Sequence, residues 1–122
     1  LVTFDGRGHY EEPKLVWTKS TGLTAIIFLD SDRLGDQYRN DIFVGSVHNG
    51  HIYHFELNSQ RNDIAVPQVL AKRLIQNPIN VSAENVIFAS GLGGVTDLTV
   101  GPDSYLYIVS ISQGKIFRIL PK

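Results

Sequence analysis

The sequence predicts an all-β fold built from β-propeller blades, and two observations carry this prediction. First, the chain repeats itself, since residues 22–30 resemble residues 94–103 and residues 41–55 resemble residues 105–119. Second, each copy joins an apolar run to a tight hairpin that has large apolar side chains on both faces. Such a unit cannot bury its faces alone and stacks on its neighbours. A stacked β-sandwich is the alternative architecture.

The first unit begins after a mixed stretch at residues 1–13, for which we predict a loop. Residues 14–17 form a short apolar run and predict an outer strand. Residues 23–29 are almost continuously apolar, which is typical of a strand buried on both faces. The polar residues 30–40 then predict a loop that leads into the hairpin.

The Asn-Gly pair at positions 49–50 predicts a two-residue hairpin turn. This turn sets the strand register and places His48 opposite His51. Large apolar residues then lie on both faces of the hairpin. A hairpin over one core would have one polar face, so the pattern indicates a sheet between two others.

The second unit follows the same plan. The Gln-Gly pair at positions 113–114 predicts its turn and places Ser110 opposite Phe117. Between the two units, residues 58–85 are irregular with weak helical spacing, and residues 86–89 predict a further strand. We expect sheets of three to four antiparallel strands.

Composition excludes several classes of function. The 122 residues include 11 basic and 12 acidic side chains, so net charge gives no reason to expect a nucleic acid partner. Cysteine is absent, which excludes disulfides and cysteine metal sites. The sequence contains no apolar run of the roughly 18 residues that would predict a membrane span. Because the sequence does not begin with methionine, we expect a processed form, a cut domain or a fragment. Two copies of the repeat are fewer than such architectures usually need, so we expect part of something larger. We predict one partial propeller domain over residues 1–122, with blade units at about 14–90 and 94–120.

The chain contains an ordered set of short motifs, which are Val-Trp at 16–17, Thr-Gly-Leu at 21–23, Asp-Ile-Phe-Val-Gly-Ser at 41–46, Thr-Asp-Leu at 96–98, Gly-Pro-Asp at 101–103 and Leu-Tyr-Ile at 106–108. In this order they resemble the C-terminal blades of the glucose/sorbosone dehydrogenase family, and the resemblance covers about residues 13–120. The resemblance implies a six-bladed propeller, of which this chain supplies about two blades. It also implies a periplasmic or extracellular location.

The resemblance implies a cofactor as well. Characterised members of the family oxidise the anomeric carbon of aldoses with pyrroloquinoline quinone (PQQ) and calcium. A basic residue on the first hairpin and an Arg-x-Arg-Asp motif help to hold the carboxylates of the quinone, which arginine binds in a bidentate manner. Here the hairpin position is His48, and residues 94–97 read Gly-Val-Thr-Asp. Both arginines are absent. The catalytic histidine and most calcium ligands of the family lie on earlier blades, so we expect no catalytic residue in this chain.

The candidate ligand-binding residues follow from propeller geometry. The loop before each innermost strand and the tip of each hairpin project from the same face, which is the usual binding face of a propeller. Polar groups in these segments suit a carbohydrate, although ordinary turn chemistry is the alternative explanation. The candidates are Lys19, Thr21, His48, His51, Thr96, Asp97 and Gln113.

Three of these candidates, His48, His51 and Asp97, have competing interpretations. The predicted register places His48 and His51 about 5 Å apart on one face, while His54 lies on the other. Two imidazoles make a poor zinc or copper site, so we predict no metal site. Asp97 lies in an innermost strand, where a carboxylate needs a partner. It is either a ligand in the central channel or a group held by backbone amides.

Three hypotheses about function follow. The chain is the C-terminal part of a dehydrogenase-like propeller and forms one wall of a sugar and quinone cleft, without a complete catalytic site. Alternatively, it is a non-catalytic propeller module that binds carbohydrate or protein. Its partner is either the remainder of a parent propeller or further copies of itself, since three copies of two blades make six. In that assembly, the strand at residues 14–17 completes the last blade of a neighbouring copy.

Overall fold

The structure is a computed structural model that describes residue 6 and residues 8–66, 68–75 and 84–122. Within these residues the elements are nine short strands and two 3₁₀ helices. The 3₁₀ helices lie at Asp36–Tyr38 and Gln68–Leu70. The strands are β1 (Val16–Trp17), β2 (Leu23–Phe28), β3 (Ile42–Ser46), β4 (Ile52–Phe55), β5 (Leu74–Ile75), β6 (Ile87–Ala89), β7 (Val95–Val100), β8 (Leu106–Ser110) and β9 (Lys115–Arg118). No helix in this part of the chain has the length and apolar character needed to cross a membrane.

Two antiparallel sheets carry the repeat. The first sheet has the strand order β2-β3-β4-β6, and the second has the order β7-β8-β9. Each contains three strands that follow one another in sequence, as propeller blades do. The predicted all-β fold with blade-like sheets of three and four antiparallel strands is therefore confirmed.

The outer strand of the first unit pairs differently from the prediction. β1 lies parallel to β5, with Val16 beside Leu74 and Trp17 beside Ile75. The two strands form a separate two-stranded sheet. The weak helical spacing of the connecting segment yields one turn of 3₁₀ helix at Gln68–Leu70 before β5. β1 thus has a partner within its own chain.

The predicted register of both hairpins is wrong by two residues. Ser46 lies opposite His51, whose carbonyl accepts the Ser46 amide, and Ser110 pairs with Lys115, so each tip is a four-residue loop. A two-residue type I′ turn needs positive φ at both central positions. Gly50 has φ of 63°, whereas Asn49 is not among the residues with positive φ. Because the shift is two residues, every side chain stays on the face that the sequence predicted.

The main core lies between the two sheets. The back face of the first sheet contributes Phe43 and Ile52, and the front face of the second sheet contributes Leu98 and Ile108. All four are buried. Burial of this apolar surface holds the sheets together, at about 25 cal/mol per Å² removed from water.

The front face of the first sheet is only half covered. Its β3 and β4 side chains pack against Trp17, Leu70 and Ile75 in a second cluster. Its β2 side chains Ile26 and Phe28 are exposed. The expectation that β2 is buried on both faces is therefore wrong in this chain, because no element of the described structure lies over that half of the sheet.

The Gly-Pro-Asp motif forms the turn between β7 and β8. The Asp103 carboxylate accepts hydrogen bonds from the Tyr107 hydroxyl at 2.8 Å, the Arg118 guanidinium at 3.1 Å and the Tyr105 amide at 3.3 Å. The Tyr107 bond is the largest cause that lowers the pKa of Asp103 below its usual value. The motif therefore joins the ends of β8 and β9 to the turn.

We expect Asp103→Asn to lower the melting temperature at about pH 7, and we expect that loss to shrink at about pH 2.5. The pKa of Asp103 is lower in the folded state, so its stabilisation is present above the unfolded pKa and disappears as pH falls through the folded pKa. Tyr107→Phe removes the hydrogen bond that lowers the pKa of Asp103 most, and it should show the same trend. Thermal unfolding at both pH values measures this, and equal losses at the two pH values would contradict it.

Candidate functional site

The loops that precede β2 and β7 lie beside the two hairpin tips. The Val47 amide donates to the Gly22 carbonyl at 2.9 Å, and the Ile111 amide donates to the Gly94 carbonyl at 2.8 Å. These bonds occupy equivalent positions in the repeat. Each sheet therefore presents one loop and one tip at the same end, as the sequence predicted.

The two loop–tip pairs also contact each other. The Leu92 amide donates to the Gly50 carbonyl at 3.4 Å. A Cβ atom at Gly50 would collide with the backbone of Gly93, so the first tip rests directly on the second loop. The four segments form one surface, which we call the tip surface: residues 18–22, 47–51, 90–94 and 111–114.

Thr21 and His51 carry buried polar atoms in the tip surface. The Thr21 carbonyl accepts the Ser46 hydroxyl at 2.6 Å and the His48 amide at 3.1 Å. The Thr21 Oγ1 and His51 Nδ1 atoms are buried, and neither has a hydrogen-bond partner among the described residues. Buried polar atoms are nearly always hydrogen-bonded in proteins. Within the tip surface, these are the two buried side-chain atoms that lack a hydrogen-bond partner among the described residues.

Burial lowers the pKa of His51. Its imidazole is therefore neutral at neutral pH and offers one donor and one acceptor nitrogen. His48 is exposed, and its Nδ1 lies 3.5 Å from the Ser20 carbonyl. The two histidines therefore differ in environment. The predicted cross-strand His48–His51 pair is wrong, because His48 lies in the four-residue loop. Ser46 is the residue that lies opposite His51 at the end of the hairpin.

Two further candidates lie in the same surface. Gln113 is exposed at the second tip, and its Nε2 donates to the Gly91 carbonyl at 3.0 Å. Lys19 is exposed in the first loop. The structure thus brings Lys19, Thr21, His48, His51 and Gln113 to one end of the two sheets.

Thr96 and Asp97 lie farther along β7. Thr96 is the extra residue of a bulge, and its hydroxyl lies 3.4 Å from the Val109 carbonyl. Asp97 is exposed opposite Val109 on the back face of the second sheet, and its Oδ1 accepts the Leu98 amide at 2.9 Å. Of the two roles predicted for Asp97, the backbone-amide role is seen, and a channel role remains a prediction.

Sequence reasoning missed two serines. Ser46 and Ser110 are buried at equivalent positions, where β3 and β8 approach the tips. Ser46 Oγ donates to the Thr21 carbonyl, whereas Ser110 Oγ has no partner among the described residues. The signal was available in the sequence, because a serine at the same place in both copies of an apolar strand is unusual.

His54 lies on the back face of the first sheet, away from the tip surface, as the sequence predicted. Its Nε2 is 2.9 Å from the Asp41 Oδ2. Its ring packs against Tyr38 and Phe43. The described residues include no group of three or more His, Cys, Asp or Glu side chains that could hold a metal ion.

The tip surface does not fit a quinone with three carboxylates or a calcium ion by itself. Its four segments contain no arginine, aspartate or glutamate. Carboxylates are the usual protein ligands of calcium, and arginine is suited to carboxylate recognition. Its neutral histidine and hydroxyl groups fit an uncharged polar ligand better.

A family model described as Glucose / Sorbosone dehydrogenase matches residues 2–118. Neither a search of curated proteins nor a search of solved structures finds a match.

Proposed function

Since the chain belongs to the glucose / sorbosone dehydrogenase family, we propose that its tip surface forms one wall of a sugar-binding cleft in a dehydrogenase-like propeller. In this proposal the chain binds and orients the sugar and supplies no complete catalytic site. The other walls come from the remaining blades of the propeller. A periplasmic or extracellular location is part of the same proposal and rests on the family alone.

The unpaired buried atoms Thr21 Oγ1 and His51 Nδ1 are the observation that supports this proposal most. A sugar hydroxyl both donates and accepts hydrogen bonds, as a threonine hydroxyl and a neutral imidazole do. Each of these two groups can engage a sugar hydroxyl. The exposed His48 and Gln113 side chains lie in the same surface and are available to the rest of the sugar.

Desolvation makes this pair selective. A ligand hydroxyl that reaches a buried polar atom removes its desolvation cost, whereas an apolar group in the same position leaves that cost in place. The same site therefore favours polyhydroxylated molecules over apolar ones. The surface has no acidic or arginine side chain, and its one charged side chain is the exposed Lys19.

We expect His51→Ala to weaken the binding of an aldose such as glucose by about fivefold, because one buried hydrogen bond is worth about 1 kcal/mol. Isothermal titration calorimetry with the chain measures this. His9→Ala is the matched control, since His9 is exposed and lies outside the tip surface. Equal affinities for the wild type and His51→Ala, or no aldose binding to either, would contradict the proposal.

The affinity should also depend on pH in a defined direction. Burial lowers the pKa of His51, so the neutral imidazole persists below the usual histidine pKa. Binding should fall only below the usual histidine pKa, when His51 gains a proton. The His51→Ala variant should lack this decline.

A non-catalytic module is the second candidate function. The absence of arginine from the tip surface favours it, because the resemblance assigns arginines there to the quinone. Adding PQQ and calcium to the intact propeller and measuring aldose-dependent dye reduction separates the two candidates. Activity supports the dehydrogenase, whereas sugar binding without quinone binding or activity supports the module.

A further inference from the structure

The side chain of Asn49 joins the first hairpin tip to the core beneath it. Its Nδ2 donates to the Tyr53 hydroxyl at 2.8 Å, and its Oδ1 accepts the His51 backbone amide at 3.2 Å. A backbone amide can only donate, so Oδ1 must face His51 and Nδ2 must face the hydroxyl. One side chain therefore ties His51 to Tyr53.

Tyr53 is a rigid anchor for this connection. It is fully buried, and its ring contacts the ring of Trp17 edge to face at a centroid distance of 5.4 Å. It also packs edge to face against the imidazole of His51, with the ring centroids 5.9 Å apart and the ring planes at 82°. His51 is thus held at two points, through its backbone amide by Asn49 and through its ring by Tyr53.

The internal repeat shows that a tip of this length does not need the connection. The second hairpin also has a four-residue loop. Its equivalent of Asn49 is Gln113, and its equivalent of Tyr53 is Phe117, which has no hydroxyl group. Gln113 donates instead to the Gly91 carbonyl at 3.0 Å. The bond between Asn49 and Tyr53 is therefore not a general requirement of the hairpin.

The two tips differ in the residue that follows the glycine. In the first tip this residue is His51, whose buried Nδ1 has no hydrogen-bond partner among the described residues, whereas the equivalent Lys115 is exposed. We propose that Asn49 is a positioning residue of the tip surface and holds His51 where its Nδ1 can bond to a sugar hydroxyl. This inference rests on the proposed function, because it takes His51 to bind the sugar. Asn49 acts through His51 and does not need to contact the sugar.

Positioning should strengthen binding, because an imidazole that is already fixed loses little freedom when the sugar arrives. Asn49→Ala removes both hydrogen bonds. Tyr53→Phe removes the hydroxyl group that accepts the Nδ2 bond and leaves the aromatic ring in the core. We expect each variant to weaken aldose binding by about twofold to tenfold, which corresponds to the cost of ordering one side chain.

Isothermal titration calorimetry with glucose measures these losses, and a double-mutant cycle with His51→Ala makes the test specific. If Asn49 acts through His51, Asn49→Ala should cause no further loss in a protein that already carries His51→Ala. Tyr38→Phe is the matched control, because it removes a tyrosine hydroxyl before β3, at the other end of the first sheet. It should bind like the wild type. Circular dichroism checks that every variant is folded.

The imidazole signals of His51 in nuclear magnetic resonance spectra provide a measurement without sugar. They depend on the position of the imidazole relative to the Tyr53 ring, so they should shift in ligand-free Asn49→Ala and Tyr53→Phe. Unchanged His51 signals, wild-type affinity of Asn49→Ala, or a further loss of affinity in the His51→Ala background would overturn the proposal. A wild type that binds no aldose would overturn the proposed function instead, and the His51 signals would still decide whether Asn49 holds the imidazole.

Discussion

Replacing Phe43 by alanine is expected to lower the free energy of unfolding by about 3–5 kcal/mol. Phe43 is fully buried on the back face of the first sheet. Its ring lies 5.0 Å from those of Phe88 and His54 and 6.2 Å from that of Tyr38. Truncation removes these contacts and leaves a cavity between the sheets, a cost that is a large part of the roughly 5–15 kcal/mol that stabilises a typical domain.

Phe28→Ala is the matched control for this substitution. Phe28 lies on the neighbouring strand of the same sheet, but on the front face, where it is 54% exposed. Its truncation should cost less than about 1 kcal/mol, because little additional surface becomes exposed. Urea unfolding at a concentration where the chain is monomeric measures both variants. Equal losses for Phe43→Ala and Phe28→Ala would contradict the assignment of buried and open faces.

The second large effect is expected at Gly50, where the first hairpin tip rests on the loop before β7. Gly50 has φ of 63°, which costs a residue with a side chain about 1–2 kcal/mol. In addition, a Cβ atom there would collide with the backbone of Gly93. Relief of that collision adds about 1–3 kcal/mol. Gly50→Ala should therefore destabilise the chain and separate the two halves of the tip surface.

Gly114→Ala separates these two contributions. Gly114 is the equivalent tip residue of the second hairpin and has φ of 58°, but a Cβ atom there meets nothing within 4 Å. Gly114→Ala should therefore show only the cost of placing a residue with a side chain at positive φ. Urea unfolding and aldose titration of both variants measure the difference. If Gly114→Ala is as harmful as Gly50→Ala in both measurements, contact between the tip and the loop does not organise the site.

Much of the fold could be predicted from the sequence, because local patterns of residues specify it. The repeat, the alternation of apolar residues and the Gly-containing tips specified the strands and their faces. The hairpin register was not predictable from the Asn-Gly pair, since the backbone angle of Asn49 decides the length of the loop. The pairing of β1 with β5 was not predictable either, because it joins segments that are far apart in sequence and whose composition does not specify each other.

Some features of the candidate site could also be predicted from the sequence, and others could not. Thr21, His48, His51 and Gln113 meet at one end because each follows or precedes a strand whose direction the repeat specified. The unpaired state of Thr21 Oγ1 and His51 Nδ1 was not predictable, because it depends on which side chains approach in three dimensions. The position of Asp97 on the back face depends on the bulge at Thr96, which a regular alternation does not reveal.

The central claim is that the tip surface binds a sugar, and a nuclear magnetic resonance titration of the isotope-labelled chain with glucose tests it most directly. The account predicts saturable shifts of backbone amide signals that are confined to the tip surface and are largest near Thr21 and His51. Signals around Asp103, at the other end of β8, should not move. An unchanged spectrum, or shifts confined to the Asp103 turn, would contradict the account.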